Sequence, residues 1–231
     1  MKRFYKSVTV IDGEGGFAIE LDGRPVRTAG KRALVTPTGA LADAIAEEWQ
    51  AQADEIVPAQ MPLTQIANTA LDHVGPNRAE VVEVTAAYGR SDLLCYRADA
   101  PTELVDRQSA AWDSVLAWFA ENHGAPLLTT SGIVHRSQPD ASISIMDNLV
   151  TSHDDWRLAG LSLATARLGS LVLAIGLTSG KFDVAEAMAL AHIDEDYQIE
   201  RWGQDDEALA RRASIAEDVT SARRLIDLLN S

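Results

Sequence analysis

The strongest candidate for metal chemistry in this sequence is a histidine followed by two acids at helical spacing. His192 precedes Glu195 and Asp196 by three and four residues, so a helix would place all three near one face. Imidazole and carboxylate groups bind divalent metals, but a site needs further ligands, and none can be assigned elsewhere in the chain. The pattern therefore favours a solvated acidic helix face with a partnered histidine. A metal-dependent enzyme using this His/carboxylate cluster is the alternative.

Other motifs that could support catalysis are incomplete. The segment 176–181 resembles a phosphate-binding loop, but its spacer is one residue short. Phe182 also occupies the position where a Ser or Thr would hold magnesium. Cys95 lies in an apolar run, which predicts an inert buried thiol. We therefore expect a protein that is not an enzyme and uses no cofactor.

The most distinctive stretch of the sequence runs from residue 191 to residue 207. It holds seven acids and one base, with Tyr197 and Trp202 among them. Acids around large aromatic side chains are typical of protein-recognition surfaces, because the aromatics anchor a partner and the acids steer a basic one. The alternative is that Trp202 packs into a helical bundle while the acids are solvated.

Composition and charge narrow the class of protein. The 231 residues have ordinary globular composition and a net charge of −14, which argues against binding to nucleic acid. Residues 1–36 hold seven basic and four acidic side chains, whereas the rest of the chain is strongly acidic. A single cysteine suits a reducing compartment. The apolar run 158–177 contains Arg167, so it predicts a buried helix and not a membrane span.

The elements that would position these residues change in type along the chain. Alternating residues at 4–10 and 17–21, separated by a glycine-rich turn at 12–16, predict a β-hairpin. Short extended pieces at 26–28 and 33–36 would complete an antiparallel sheet of three or four strands, and three helices should follow before Gly89.

Residues beyond 89 predict a mostly helical region. A helix is expected over 102–122, followed by helices near 139–152, 154–178, 182–202 and 204–229, with the second of these four at the centre. The fold class is therefore α+β. A small N-terminal domain with an antiparallel sheet, residues 1–89, precedes an all-α helical domain, residues 90–231.

Several scattered motifs carry a family resemblance over nearly the whole chain, from about residue 4 to residue 229. They are Glu48-Trp49-x-x-Gln52, Pro58-x-x-Met61-Pro62-Leu63-Thr64, Ala67-Asn68-Thr69-Ala70-Leu71-Asp72 and Asp194-Glu195-x-Tyr197-Gln198-x-x-x-Trp202-Gly203. Shorter matches lie at Asp12–Phe17, Leu21–Pro25 and Asp92–Arg97. Together they resemble the assembly chaperones of the F-type ATP synthase alpha subunit, which occur in mitochondria and alpha-proteobacteria.

The resemblance implies a protein that catalyses no reaction and binds no nucleotide. Members of that family bind newly made, unassembled alpha subunit and shield the surface that later faces a beta subunit. The family's fold, an N-terminal α+β domain followed by a helical domain, agrees with the division near residue 89.

The resemblance also implies partner-binding residues. These are Trp49 and the residues around the C-terminal Trp-Gly pair, namely Glu200, Trp202, Asp205, Asp206 and Glu207. Among the acids, Asp206 is the first choice by alignment. Trp49 also shares a helix face with Leu41 and Ile45, so it could instead stabilise the domain core.

The remaining expectations concern state and location. We expect a monomer that binds neither nucleic acid nor membrane. Because the chain begins close to its first strand with no apolar leader, we expect it in a bacterial cytoplasm, with eukaryotic relatives in the mitochondrial matrix.

Overall fold

The computed structural model describes residues 1–13 and 15–231, and the predicted α+β class is confirmed. Two compact units form. The first, here the N-terminal unit, comprises Met1–Arg78, Asp154–Gly160 and Ser221–Ser231. The second, the helical unit, comprises Ala79–His153 and Leu161–Thr220. The division into domains 1–89 and 90–231 stays a prediction.

The N-terminal unit contains a small antiparallel sheet. Its strands are β1 (Val8–Gly13), β2 (Gly16–Leu21), β3 (Arg24–Pro25) and β4 (Val35–Thr36). β2 pairs with all three others, and Val8 lies opposite Leu21 in the first hairpin. Glu14, in the predicted turn of that hairpin, lies outside the described residues.

The first strand begins four residues later than the alternation predicted. Residues before Val8 are held by other contacts: the N–H groups of Lys6 and Ser7 donate to the Asp22 carboxylate, and the Tyr5 hydroxyl donates to the Trp49 carbonyl. The Asp22 carboxylate thus satisfies the N–H groups of Lys6 and Ser7 without a strand ladder, which explains the difference.

Two helices of the N-terminal unit follow the sheet in the chain, and the first of them packs against it. α1 (Gly39–Gln50) is capped by the Thr38 side chain and packs against β1 and β2 through apolar residues such as Leu41 and Ile45, both fully buried. α2 (Pro62–Thr69) follows and continues into a single π-helical turn at Ala70–Val74. The predicted second helix therefore exists, and it changes from α-helix to π-helix in its last turn.

The helical unit is built from the remaining helices and a two-stranded parallel pair, β5 (Tyr96–Arg97) with β6 (Thr130–Ser131). The helices that contribute to it are α3 (Arg78–Ala87), α4 (Thr102–His123), α5 (Asp140–Thr151), α6 (Asp155–Leu168), α7 (Leu171–Thr178), α8 (Val184–Ala191), α9 (Ile193–Trp202) and α10 (Asp206–Leu229). α6 and α10 are each divided between the two units.

Two predicted long helices are each broken in two. The predicted helix 154–178 ends at Gly169, whose φ of 67° leaves the helical region, and restarts as α7 behind the cap Ser170. The predicted helix 182–202 is interrupted at His192. Residues Leu171–Leu177 are all buried, so α7 is the apolar centre that was expected of the longer helix. No helix among the described residues is long and apolar enough to cross a bilayer.

Candidate partner-binding surfaces

A short exposed corner, residues 203–205, joins α9 to α10. α9 ends at Gly203, whose φ of 84° and ψ of 172° suit glycine, and the Gly203 N–H donates to the Ile199 carbonyl at 2.8 Å. α10 then starts at once, because the Asp205 carboxylate accepts the Ala208 N–H at 2.8 Å and caps the new helix. Trp202 and the three acids at 205–207 are thereby presented together.

Trp202 lies on the outside of this corner. Its side chain is 76% exposed, and Leu209 on the first turns of α10 is 44% exposed. The alternative in which Trp202 packs into the bundle is therefore wrong. A large aromatic side chain in this position can bury most of its surface against a partner. We call Trp202, Asp205, Asp206, Glu207 and Leu209 the Trp202 surface.

The predicted acids differ in what they do. Asp206 and Glu207 are exposed in the first turn of α10, where the helix dipole favours negative charge, and no ion pair involves either within the described chain. Glu200 instead accepts two bonds from the Arg107 guanidinium, at 2.8 and 3.0 Å. These bonds hold the pKa of Glu200 below its usual range and raise the pKa of Arg107. Glu200 thus serves a structural ion pair, whereas Asp206 and Glu207 are free to meet a partner.

A set of contacts to α4 fixes α9 in place. The buried Tyr197 ring lies beneath the guanidinium groups of Arg201, 4.5 Å from the ring centroid, and Arg107, 5.4 Å away. Gln108 of α4 donates to the Asp194 carboxylate at 2.5 Å and accepts the Ala98 N–H at 2.7 Å. The family-like motif residues Asp194 and Tyr197 therefore support the helix that carries Trp202.

His192, Glu195 and Asp196 each have a partner within the helical unit. His192 is buried, its Nδ1 lies 2.8 Å from the Met188 carbonyl, and its Nε2 is 3.8 Å from Glu195. Glu195 and Asp196 form ion pairs with Arg211 and Arg212 of α10, and the Asp196 bond raises the pKa of Arg212. Across residues 1–13 and 15–231, no three His, Cys, Asp or Glu side chains are grouped to hold a metal ion. The acids join α9 to α10.

Trp49 lies on a separate surface in the N-terminal unit. It is half-buried on α1, and its ring meets Tyr5 edge-on, with centroids 5.7 Å apart. The Tyr5 hydroxyl donates to the Trp49 carbonyl at 2.6 Å, and burial raises the pKa of this phenol. Trp49 and Tyr5 line a groove of about 580 Å³, here the Trp49 groove.

The other residues of the Glu-Trp-x-x-Gln motif are structural. The Glu48 carboxylate accepts the N–H groups of Leu63 and Thr64, each at 2.8 Å, and the Thr64 hydroxyl at 2.7 Å. The Gln52 side chain accepts the Val57 N–H and donates to the Glu48 carbonyl. Glu48 therefore caps α2 from α1, and Gln52 links the end of α1 to Val57. Sequence reasoning missed this role. The signal for it was that α2 starts with Pro62 and that no side chain directly before the helix caps it.

A second feature that sequence reasoning missed is an apolar groove between α8 and α10. It has a volume of about 520 Å³ and is lined mainly by Val184 and Met188 of α8 and by Leu209, Ala213 and Ala216 of α10. The apolar residues recur at helical spacing on both segments, which is the sequence signal for such a groove. Because Leu209 belongs to both, the groove extends the Trp202 surface.

An exposed tryptophan with acids and an apolar groove beside it is typical of surfaces that recognise other proteins. A sequence profile of the family described as ATP12 chaperone protein matches residues 2–120. The chain belongs to this family, as its resemblance predicted, and is a chaperone of ATP synthase assembly.

Individual relatives agree with this membership. The chain is 42% identical to the Atp12 crystal structure from Paracoccus denitrificans, with a TM-score of 0.95 over 98% of this chain and 97% of that one. An aspartate-to-lysine mutant of the same protein gives the same values. A curated relative, mitochondrial atp12 of Schizosaccharomyces pombe, is 23% identical over 220 residues, which are 90% of this chain and 75% of the relative.

Proposed function

We propose that this protein is a non-catalytic, ATP-independent chaperone that binds the unassembled alpha subunit of F-type ATP synthase. It shields the beta-facing interface of that subunit until the hexamer forms. Membership of the ATP12 chaperone family is the observation that carries this proposal. An orphan subunit exposes a large apolar interface that would otherwise aggregate, which gives such a chaperone its physical purpose.

The Trp202 surface supplies suitable chemistry for this client. The indole of Trp202 is the anchor, since it is the most exposed aromatic of the helical unit. Asp206 and Glu207, together with the cap Asp205, steer a basic region of the client towards it. Glu200 lies at the edge of this contact and contributes less to client binding, because its carboxylate is already paired with Arg107. Trp49 is the proposed contact in the N-terminal unit.

The proposal also covers the oligomeric state, the cellular location and the ligands of the protein. We propose that the chaperone acts as a monomer in the bacterial cytoplasm and takes neither nucleic acid nor cofactor. The strong net negative charge supports the first of these exclusions, because polyphosphate chains would be repelled.

Co-expression with the alpha subunit tests the proposal directly. We expect more soluble alpha subunit and a complex that co-purifies with the chaperone, both in the absence of added ATP. Absence of a complex together with unchanged solubility of the alpha subunit would refute the proposed client.

A charge reversal separates binding from folding. Asp206→Lys should weaken capture of the alpha subunit at least severalfold, because it places a cation where a basic partner approaches. Its thermal midpoint should stay within a few degrees of wild type, since Asp206 is exposed and makes no ion pair among the described residues. Glu121→Lys is the matched control, an exposed acid of α4 outside the Trp202 surface, and should leave capture unchanged. A large fall in midpoint with capture intact would give Asp206 a structural role instead.

A further inference from the structure

The Trp49 groove has a chemistry opposite to that of the Trp202 surface. Its walls are aromatic and aliphatic: Phe4, Tyr5, Val26 and Trp49 all contribute. Phe4 is 66% exposed and packs edge-on against Tyr5, with ring centroids 5.4 Å apart. An exposed phenylalanine that lines a groove beside other aromatic side chains leaves a surface whose burial by a partner would be favourable.

Two guanidinium groups line this groove and have no acidic partner in the part of the chain that the structure describes. Arg24 and Arg27 are both exposed and both line it. Within the described residues, Arg24 forms no ion pair, and Arg27 donates only to the neutral Lys31 carbonyl at 2.8 Å. The groove is therefore basic within a chain whose overall charge is −14.

Among the described residues that line the groove, the one acid is Asp22, and it is already engaged. The Asp22 carboxylate accepts the Ser7 N–H at 2.8 Å, the Ser7 hydroxyl at 2.9 Å and the Lys6 N–H at 3.1 Å. Asp22 therefore fastens the N-terminal segment to the sheet, and Arg24 and Arg27 are left to bind carboxylates from outside.

We infer that the Trp49 groove binds an extended segment of a partner protein that carries acidic residues next to a large apolar side chain. The arginines take the carboxylates in bidentate pairs, and the apolar side chain lies against Phe4, Tyr5 and Trp49. This occupant is favoured over a nucleic acid because two arginines are few against the repulsion of a phosphate chain by the acidic protein. The inference rests on the proposed function only in taking the alpha subunit as the source of the segment.

An array of fifteen-residue peptides that tile the alpha subunit provides the test, with the full-length chaperone as the binding protein. The bound peptides should carry at least two acids beside an aromatic or branched apolar residue. The tightest one, labelled with fluorescein, is then titrated by anisotropy against wild type and variants, and a labelled twelve-nucleotide single strand is titrated in parallel.

The double variant Arg24→Glu/Arg27→Glu should raise the peptide Kd at least tenfold, and Phe4→Ala should raise it severalfold. Lys31→Glu is the matched control: it changes the charge of the same segment but does not line the groove, so its Kd should stay within twofold. Circular dichroism checks that each variant folds. Arg27→Gln, which retains a donor for the Lys31 carbonyl, separates loss of charge from loss of that bond and should still weaken binding.

Each result has a defined meaning. Peptides selected without regard to acids, equal binding by the double variant, or tighter binding of the single strand would overturn the inference. Capture of intact alpha subunit without any binding peptide would overturn it while leaving the proposed function standing. Binding of acidic peptides without capture of intact alpha subunit would support the groove and refute the proposed client.

Discussion

Removing the Glu48 carboxylate should destabilise the N-terminal unit. In Glu48→Ala the buried N–H groups of Leu63 and Thr64 lose their acceptor. An unsatisfied buried donor costs about 1–3 kcal/mol. Both N–H groups belong to the first turn of α2, where the helix itself offers them no acceptor. Part of this loss is offset, because burial raises the pKa of Glu48 and so opposes its charged form. We expect a net loss of about 2–4 kcal/mol.

Thermal unfolding followed by circular dichroism measures this loss. For a chain of this size, about 2–4 kcal/mol corresponds to a fall of roughly 5–15 °C in Tm. Glu47→Ala is the control: it makes the same change one residue earlier, at an exposed side chain 3.9 Å from Arg224, and should shift Tm by no more than about 2 °C. Equal Tm values for the two variants would refute the capping role of Glu48. Reduced client capture by Trp49→Ala, with Tm unchanged, would then assign binding to the motif instead.

Two other predictions concern the helical unit. Burial raises the pKa of Asp92 to about 6, above its ordinary value, although Ser170, Val172 and Leu94 donate to it. Its contribution to stability is therefore fully present below about pH 4 and is lost as pH rises through 6. In urea unfolding, the stability of wild type relative to Asp92→Asn should thus fall by about 2–3 kcal/mol between pH 4 and pH 7.5; a difference independent of pH would contradict this. Trp202→Ala should change the free energy of unfolding by less than about 1 kcal/mol, because the ring is 76% exposed, yet reduce capture of alpha subunit at least tenfold. A loss of stability beyond that, or unchanged capture, would show that the ring is not an interfacial anchor.

Local sequence patterns predicted a helix correctly where two independent signals agreed. The predicted helix 102–122 matches α4, Thr102–His123, because apolar periodicity and the Gly124 stop agree. The break between α6 and α7 was not predicted. Gly169 and Ser170, residue types that end and cap helices, were the local signal for it. The break is also held by Asp92, which is distant in sequence and accepts the Ser170 hydroxyl at 2.7 Å and the Val172 N–H at 3.1 Å. A side chain 78 residues away cannot be inferred from helical periodicity.

The same limit applies to the site. The acids at 191–207 looked alike in the sequence, yet the structure divides them by partner. Asp194, Glu195, Asp196 and Glu200 each bind a side chain of α4 or α10, whereas Asp206 and Glu207 remain free in the described structure. Partner choice depends on tertiary contacts, so composition could indicate an acidic surface without showing which acids face a client.

On the proposed function, the client must be held without ATP and released when its proper neighbour arrives. Exposed carboxylates such as Asp206 and Glu207 contribute about 0–1 kcal/mol each to affinity, although they accelerate association. Trp202 must therefore supply most of the affinity at this surface, from the burial of one indole and the apolar groove beside it. A beta subunit that covers a larger apolar area on the same client face would bind it more tightly and displace the chaperone. Under this arrangement added salt should slow capture of the client more than it speeds release, because the charges act chiefly during approach.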